Sequence, residues 1–467
     1  MRNVWPMLLT LLAIAGFVWS NQHHPFFWDT VQLGSKHAHF FYENDLQWSP
    51  LPAAIDSGHP PVFGWLLAAC WTLFGKTLPV SHWMMFPFLA GIAMLLWYIG
   101  KRLGSLEWAP WLLPLVLLDP VLAGQSALVS PDVVLAFGFL LSVSGLMYGK
   151  RWWVMLGILG LCSISMRGMM TAGAVFVFGI CLAWSSVRRD ARFATIRYFF
   201  QSTLPFLPGF LFAAWFLWWH QKNTGWTGFH PDSPWATAFK PVGLAGMLRN
   251  AAIVGWRWTD LGRFAEWFLL FILLFQKRKF WLSKLFWLWA ILVVFLTPSA
   301  LLHQNLSAHR YFLPAFMALH LIVFQVVANS DLDNLRRKLL YTALIVCLAS
   351  GNLWIYPRGI SMDWDATLAH LPYHRLRAET VDFLEREKID FQTVGSAFPN
   401  LNTGENLMLD GDDRQFAELD FSTNTYILSS NVFNDIDVEE YKQLETDWQL
   451  VRRQEMAGVW MELYRRK

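Results

Sequence analysis

The segment HRYFLPAFMALHLIVFQVVA, residues 309–328, decides the class of fold. After His309-Arg310 it contains no Asp, Glu, Lys or Arg, and the next basic cluster is Arg336-Arg337-Lys338. Roughly 20 apolar residues span the ~30 Å hydrocarbon layer as a helix, whose backbone polar groups all pair within the segment. Lys and Arg collect on the cytoplasmic side of a membrane. The 336–338 cluster therefore marks the inner end of this span and Arg310 its outer end. A charged group in hydrocarbon costs several kcal/mol, so an arginine at that depth either snorkels to headgroups or holds an anion.

The same reading extends outward. Of 467 residues, 55% are hydrophobic and only 15% charged, which excludes an ordinary soluble domain. Apolar runs recur across the first 356 positions and predict about eleven spans, centred near residues 12, 91, 115, 140, 159, 178, 208, 270, 289, 319 and 347. The runs 108–122 and 263–276 are short, as tilted or re-entrant segments are. Basic residues occupy alternate connections: Lys101-Arg102, Lys150-Arg151, Arg188-Arg189 with Arg192 and Arg197, Lys277-Arg278-Lys279, and 336–338. Arg2 falls on the same side, predicting a cytoplasmic amino terminus and, with an odd span count, a periplasmic carboxyl-terminal region. The net charge of +3 is this loop bias and implies no nucleic-acid partner. Residues 4–19 lack a clear cleavage site before Asn21 and read as the first span rather than a removed leader. Cys70, Cys162, Cys181 and Cys347 sit in apolar runs, with neither a disulfide framework nor metal spacing.

The predicted architecture is a polytopic α-helical membrane domain, residues 1–356, followed by a small α+β periplasmic domain, residues 357–467. Two long outer loops, 21–82 and 220–262, are rich in Trp, His and Pro. Within the first, the stretch from Pro61 to Gly75 is too short to cross and reads as a helix on the membrane surface. In the tail, 378–389 predicts an amphipathic helix, and 424–430 and 458–465 predict strands.

Seven charged residues gather at or just beyond the outer helix ends: Asp29, Asp119, Asp132, Arg167, Asp260, Glu266 and Arg310. Asp29, in aromatic company just past the first span, reads as a turn residue, a general base or a divalent-cation ligand. His59, in Gly58-His59-Pro60-Pro61, stands beside a helix start and suits an anion or an orienting contact to a carboxylate. Ser130-Pro131-Asp132 caps a span. Arg167, near the outer end of its helix, either counters Asp132 or binds a second anion. Arg310, followed by Tyr311 and Pro314, offers a planar fork of donors suited to phosphate. His320, alone near mid-span, reads as a hydrogen-bonded structural residue.

In this order and on this side, the motifs resemble the membrane-embedded glycosyltransferases of the GT-C superfamily. The likeness is to the bacterial branch related to protein O-mannosyltransferases and the lipid A aminoarabinose transferase. It covers roughly residues 5–328 and rests on Trp28-Asp29, on Gly58-His59-Pro60-Pro61 leading to Leu73-Phe74-Gly75, on Pro131-Asp132, and on Arg310-Tyr311 leading to Pro314. The resemblance implies inverting transfer of a sugar from a polyprenyl-phosphate donor to a hydroxyl of a lipid, glycan or protein, at the periplasmic face of a bacterial inner membrane. It makes Asp29 the catalytic carboxylate and places Arg310, with Tyr311 and Arg167, on the donor phosphate. His59, Asp132 and Glu43 would support the site or hold the acceptor. The family commonly has Asp-Glu at the first motif, whereas this chain has Asp29-Thr30. A second carboxylate would then come from Glu43, Asp45 or Asp56, and the use of a divalent cation stays open. A lipid flippase or transporter and a lipid-linked glycan polymerase or ligase are the other classes compatible with such a chain.

Overall fold

The computed structural model describes residues 4–186, 203–228, 230–231, 236, 238–276, 283–304, 307–357 and 360–467. The basic stretches at 188–197 and 277–279, along with Arg2, lie outside these residues.

All eleven apolar runs contain helix. Trp5–Asn21, Phe86–Leu103, Pro131–Tyr148, Arg151–Ile164, Met166–Ser186, Leu207–Thr224, Phe264–Gln276, Lys284–Leu302, Leu313–Ala328 and Asn334–Gly351 account for ten of them. Five helical stretches are long and apolar enough to cross a bilayer among the described residues: Leu78–Leu103, Pro131–Tyr148, Met166–Trp184, Lys284–Leu302 and His309–Ala328. The eleventh run, expected at 108–122, is broken. Ala109–Leu117 ends at Leu118, and Asp119 caps a separate helix, Pro120–Ser126, by accepting from the Val121 backbone at 3.0 Å. Pro120 at the first position of that helix leaves the interruption without a missing donor.

Local chemistry sets the helix starts around the later site. Ser130 caps Pro131–Tyr148 through its hydroxyl, which accepts from the Asp132 backbone at 3.1 Å. This helix packs closely on Arg151–Ile164, where a Cβ on Gly157 would meet the Gly138 carbonyl at 2.6 Å. Small residues allow that approach, as dispersion between membrane helices requires. Leu313–Ala328 runs through the middle of the bundle and is buried along almost its whole length.

The outer loops are themselves structured. The first contains a π-helical turn, Val31–Lys36, continuing into His37–Glu43, and then the helix Val62–Phe74. Leu73 and Phe74 at the end of that helix are exposed apolar residues. The second loop, 220–262, carries the amphipathic helix Leu244–Thr259.

The tail builds a five-stranded sheet. In chain order the strands are β1 (Val394–Ser396), β2 (Ala417–Glu418), β3 (Tyr426–Ser430), β4 (Trp448–Met456) and β5 (Val459–Arg466), arranged β2-β1-β3-β5-β4. β1 pairs in parallel with β2 and β3, and β5 pairs antiparallel with β3 and β4. The helix expected at 378–389 begins earlier, as Leu371–Arg386, because Pro372 opens it. The strands expected at 424–430 and 458–465 are β3 and β5. β4 lies at the sheet edge and is exposed or half-buried after Trp448, and so shows no apolar run.

The tail does not stand apart from the bundle. Its apolar core includes Phe27, Trp28 and Leu128, while Leu407 of the tail packs into the core of the helical bundle. The Phe26 backbone donates to the Leu407 carbonyl at 2.9 Å, and the Ser35 hydroxyl donates to the Asn406 carbonyl at 2.6 Å.

Candidate active site

Asp29 follows Trp28, whose φ of 56° lies in the left-handed region. A bulky residue adopts that conformation only where its surroundings hold it there. Here Trp28 packs edge-on to Phe398 of the tail at 4.9 Å between ring centroids. Thr30 completes the turn, its hydroxyl accepting from the Phe27 backbone at 3.0 Å. The result aims Asp29 into a cavity of about 120 Å³ that it shares with His59, Arg167, Tyr311 and Ser57. Met166, Met170 and Leu296 line the apolar side of the same cavity. An acid, a cation and two ring side chains thus meet beside an apolar wall.

Two guanidinium groups organise the polar side. Arg167 donates to Asp132 at 2.8 Å and to the Arg310 backbone carbonyl at 3.3 Å, and lies 4.3 Å from the centre of the Tyr311 ring. Arg310 is buried beneath the cavity wall. One of its terminal nitrogens holds the Asp29 carboxylate, and the other donates to Asp365 at 2.6 Å. Arg167 and Tyr311, rather than Arg310, therefore border the cavity. His59 also borders it, and its Nδ1 accepts from the Met166 backbone at 3.4 Å. Burial pushes this imidazole down to about 3, helped by the nearby Arg167 charge. It is consequently neutral near pH 7 and offers hydrogen bonding rather than positive charge.

Glu43 corrects the sequence reading. It is exposed on the short helix His37–Glu43 and does not line the cavity. A polar residue ending an exposed helical turn is better solvated outside. Asp45 is likewise exposed. Asp56 is buried but faces His220 at 2.9 Å and accepts from the Gly58 backbone at 2.8 Å. It shapes the Gly58-His59 turn.

The tail brings two further carboxylates to His309 and Arg310. In Asp363-Trp364-Asp365, both acids reach consecutive residues at the head of the late span. Asp363 accepts from the His309 backbone at 3.0 Å and meets the His309 ring at 2.6 Å, while Asp365 takes Arg310. Burial works to raise Asp363, but Arg257 and His309 outweigh it and hold the carboxyl well below the usual range. For Asp365 burial dominates over Arg310, and Asp29 and Asp363 add to it, lifting the carboxyl to about 7. The backbone there is pinned, with Gln125 donating to the Asp365 carbonyl at 2.9 Å. A Cβ on Gly124 would meet that carbonyl at 2.8 Å. Two acids flanking a Trp soon after the last apolar run were the available signal, but their distant partners were not visible from it.

Asp119, Asp260 and Glu266 do not line the cavity. Asp119 pairs with Arg263 at 2.9 and 3.0 Å, and His320 bridges Glu266 at 2.8 Å and Asp119 at 3.2 Å. The bundle interior is therefore not charge-free, because Arg263 brings its partners inward to His320. Asp260 receives His309 at 2.9 Å and the Tyr356 hydroxyl. Among the described residues no three His, Cys, Asp or Glu side chains are grouped to hold a metal ion. Near Asp29 the cationic partner is Arg310.

No family model and no curated protein matches the chain. Solved structures do. The chain is similar to ArnT from Cupriavidus metallidurans bound to undecaprenyl phosphate, with a TM-score of 0.55 at 11% identity, over 98% of each chain. The apo state of that protein matches with a TM-score of 0.53 at 12% identity, over 98% of this chain and 97% of that one. The likeness is one of fold. It extends through the tail, since 98% of this chain is covered.

Proposed function

We propose that this protein transfers a sugar from a polyprenyl-phosphate donor to a hydroxyl acceptor, with inversion, at the periplasmic face of a bacterial inner membrane. One observation carries the reading: Asp29, Arg167, Tyr311 and His59 border one cavity with an apolar wall, in a fold shared with a protein solved with undecaprenyl phosphate. Asp29 takes the proton of the acceptor hydroxyl as its oxygen bonds to the anomeric carbon. The bond from that carbon to the phosphate oxygen breaks, and its electron pair leaves with the lipid phosphate. Arg167 stabilises the charge that develops on the phosphate, and Tyr311 stacks against Arg167. Arg310 holds Asp29 in place and reaches the phosphate by letting go of a carboxylate. The apolar wall of Met166, Met170 and Leu296 accommodates the start of a prenyl chain and limits water at the reacting centre.

The test is turnover of undecaprenyl-phosphate-linked sugars by purified protein in nanodiscs without any gradient. Release of undecaprenyl phosphate by wild type, lost in Asp29→Asn, is the expected result. Movement of the intact lipid across a vesicle membrane without bond cleavage would replace this reading with a flippase.

A further inference from the structure

Asp29, Asp132 and Asp365 set three carboxylates against the two guanidinium groups of Arg167 and Arg310. With all five ionised, the group carries a surplus negative charge at the place where the proposed donor brings another. Repulsion and desolvation oppose such an arrangement. Of the three acids, Asp365 is the most deeply enclosed at 1% exposure, and its Oδ1 has no hydrogen-bond partner among the described residues. It also occupies one of the two terminal nitrogens of Arg310.

We propose that Asp365 is a positioning residue that competes with the donor phosphate for Arg310, so that lipid phosphate binds with uptake of a proton by Asp365. This inference rests on the function proposed above. When Asp365 is a carboxylate, Arg310 is divided between it and Asp29. When it is a carboxylic acid, the local charge balances, and the Arg310 nitrogen it held turns to an incoming phosphate. The pinned backbone at Gln125 and Gly124 makes protonation, rather than withdrawal of the tail, the economical route.

The groups facing Asp365 support this assignment. Arg310 approaches from the turn at 309–312, Asp29 from the first outer loop, and Asp132 from Pro131–Tyr148. Asp363 lies on the same segment, and His370 on the following turn is turned to the Thr367 carbonyl. Asp119, heading Pro120–Ser126, is committed to Arg263. His309 is held between Asp363 and Asp260. Among the described residues Arg310 is the cation that pairs with Asp365, and Asp29, Asp363 and Asp132 press its carboxyl toward the neutral form.

The experiment is calorimetric titration of full-length wild type and Asp365→Asn with undecaprenyl phosphate in detergent. It is run about one pH unit below and one above the Asp365 midpoint of about 7. Proton linkage predicts that Asp365→Asn binds about tenfold tighter than wild type at the higher pH and nearly equally at the lower. The lipid phosphate titrates in the same range, near pH 6, so the ratio of variant to wild type is the quantity read. A variant damaged only in structure binds more weakly, which is the opposite sign. Equal or weaker binding by Asp365→Asn at the higher pH overturns the inference and leaves the proposed function standing. Absence of binding by both proteins removes the function and the inference together. Wild type alone provides a second measurement that needs no folded variant. At the higher pH, titrations in buffers of different ionisation enthalpy should register about one proton taken up per lipid bound, and proton release or no exchange overturns the proposal.

Discussion

The molecule contains two clusters built from the same residue types, and they differ in what surrounds them. Around Arg263, the carboxylates of Asp119 and Glu266 and the ring of His320 close on one another inside the bundle, all but unexposed. Around Arg310 and Arg167, the carboxylates of Asp29, Asp132 and Asp365 border or underlie a cavity, and Asp29 retains 16% exposure. A closed ionic cluster holds helices in register, because removing one member leaves a charge stranded. An open one has charge to offer a ligand. Burial and cavity, rather than residue type, separate structure from chemistry here.

The comparison predicts opposite outcomes for substitutions in the two places. The largest effect falls at Asp29. Asp29→Asn should lower the proposed transfer by roughly a thousandfold with an unchanged melting temperature in detergent; a substantial rate in folded variant breaks the assignment. Next, Arg263→Met should destabilise by about 3–5 kcal/mol, read by thermal unfolding, while molecules that remain folded keep their turnover per site. If that variant melts like wild type but loses turnover, the closed cluster belongs to the chemistry and the contrast fails. Third, Arg167→Lys keeps the charge but loses the planar fork, and should weaken undecaprenyl phosphate binding by about tenfold with little change in stability.

The smallest effect sharpens the role of the tail. Glu405 meets His39 at 2.9 Å and also Lys76. Burial pushes its carboxyl up, but those two partners outweigh it and hold the group at about 2, below its ordinary 4.5. A folded-state value depressed in this way stabilises docking above pH 4.5, and the contribution is lost as pH falls from there toward 2. The effect is modest for a partly solvated pair, under about 1 kcal/mol. Peptic cleavage in the loop around 409–414 should therefore rise for wild type as the pH drops through that window, and much less for Glu405→Gln. Equal acid sensitivity in both would detach this contact from tail docking.

Much of the candidate site was legible along the chain. Asp29, His59, Arg167 and Tyr311 were each marked by type and by position at an outer helix end, and they converge on one cavity. Arg310 was marked as a phosphate ligand, yet it sits beneath the cavity holding Asp29. A side chain's depth relative to its neighbours is not encoded by its own helix. Glu43 was offered as a substitute for the second carboxylate missing after Asp29, but the turns at Val31–Lys36 and His37–Glu43 carry it outward to solvent. Asp365 lies 336 positions after Asp29 (365 − 29); only the docking of the tail brings it within reach of the same arginine.

The sequence by itself determined what depends on local free energies. Hydrophobic length fixes where helices form, proline and serine fix where they begin, and the high cost of charge in hydrocarbon keeps most ionisable groups at helix ends. Tertiary structure decided what depends on charge pairing over long separations. It set which carboxylate faces which guanidinium, and it buried the Arg263 cluster while opening the one at Arg167. It also made the tail part of the site, through Phe27 and Trp28 in its core and Asp363 and Asp365 on the span head. A buried charge is tolerated only with its partner in place, and that partner is chosen by the packing of the whole chain.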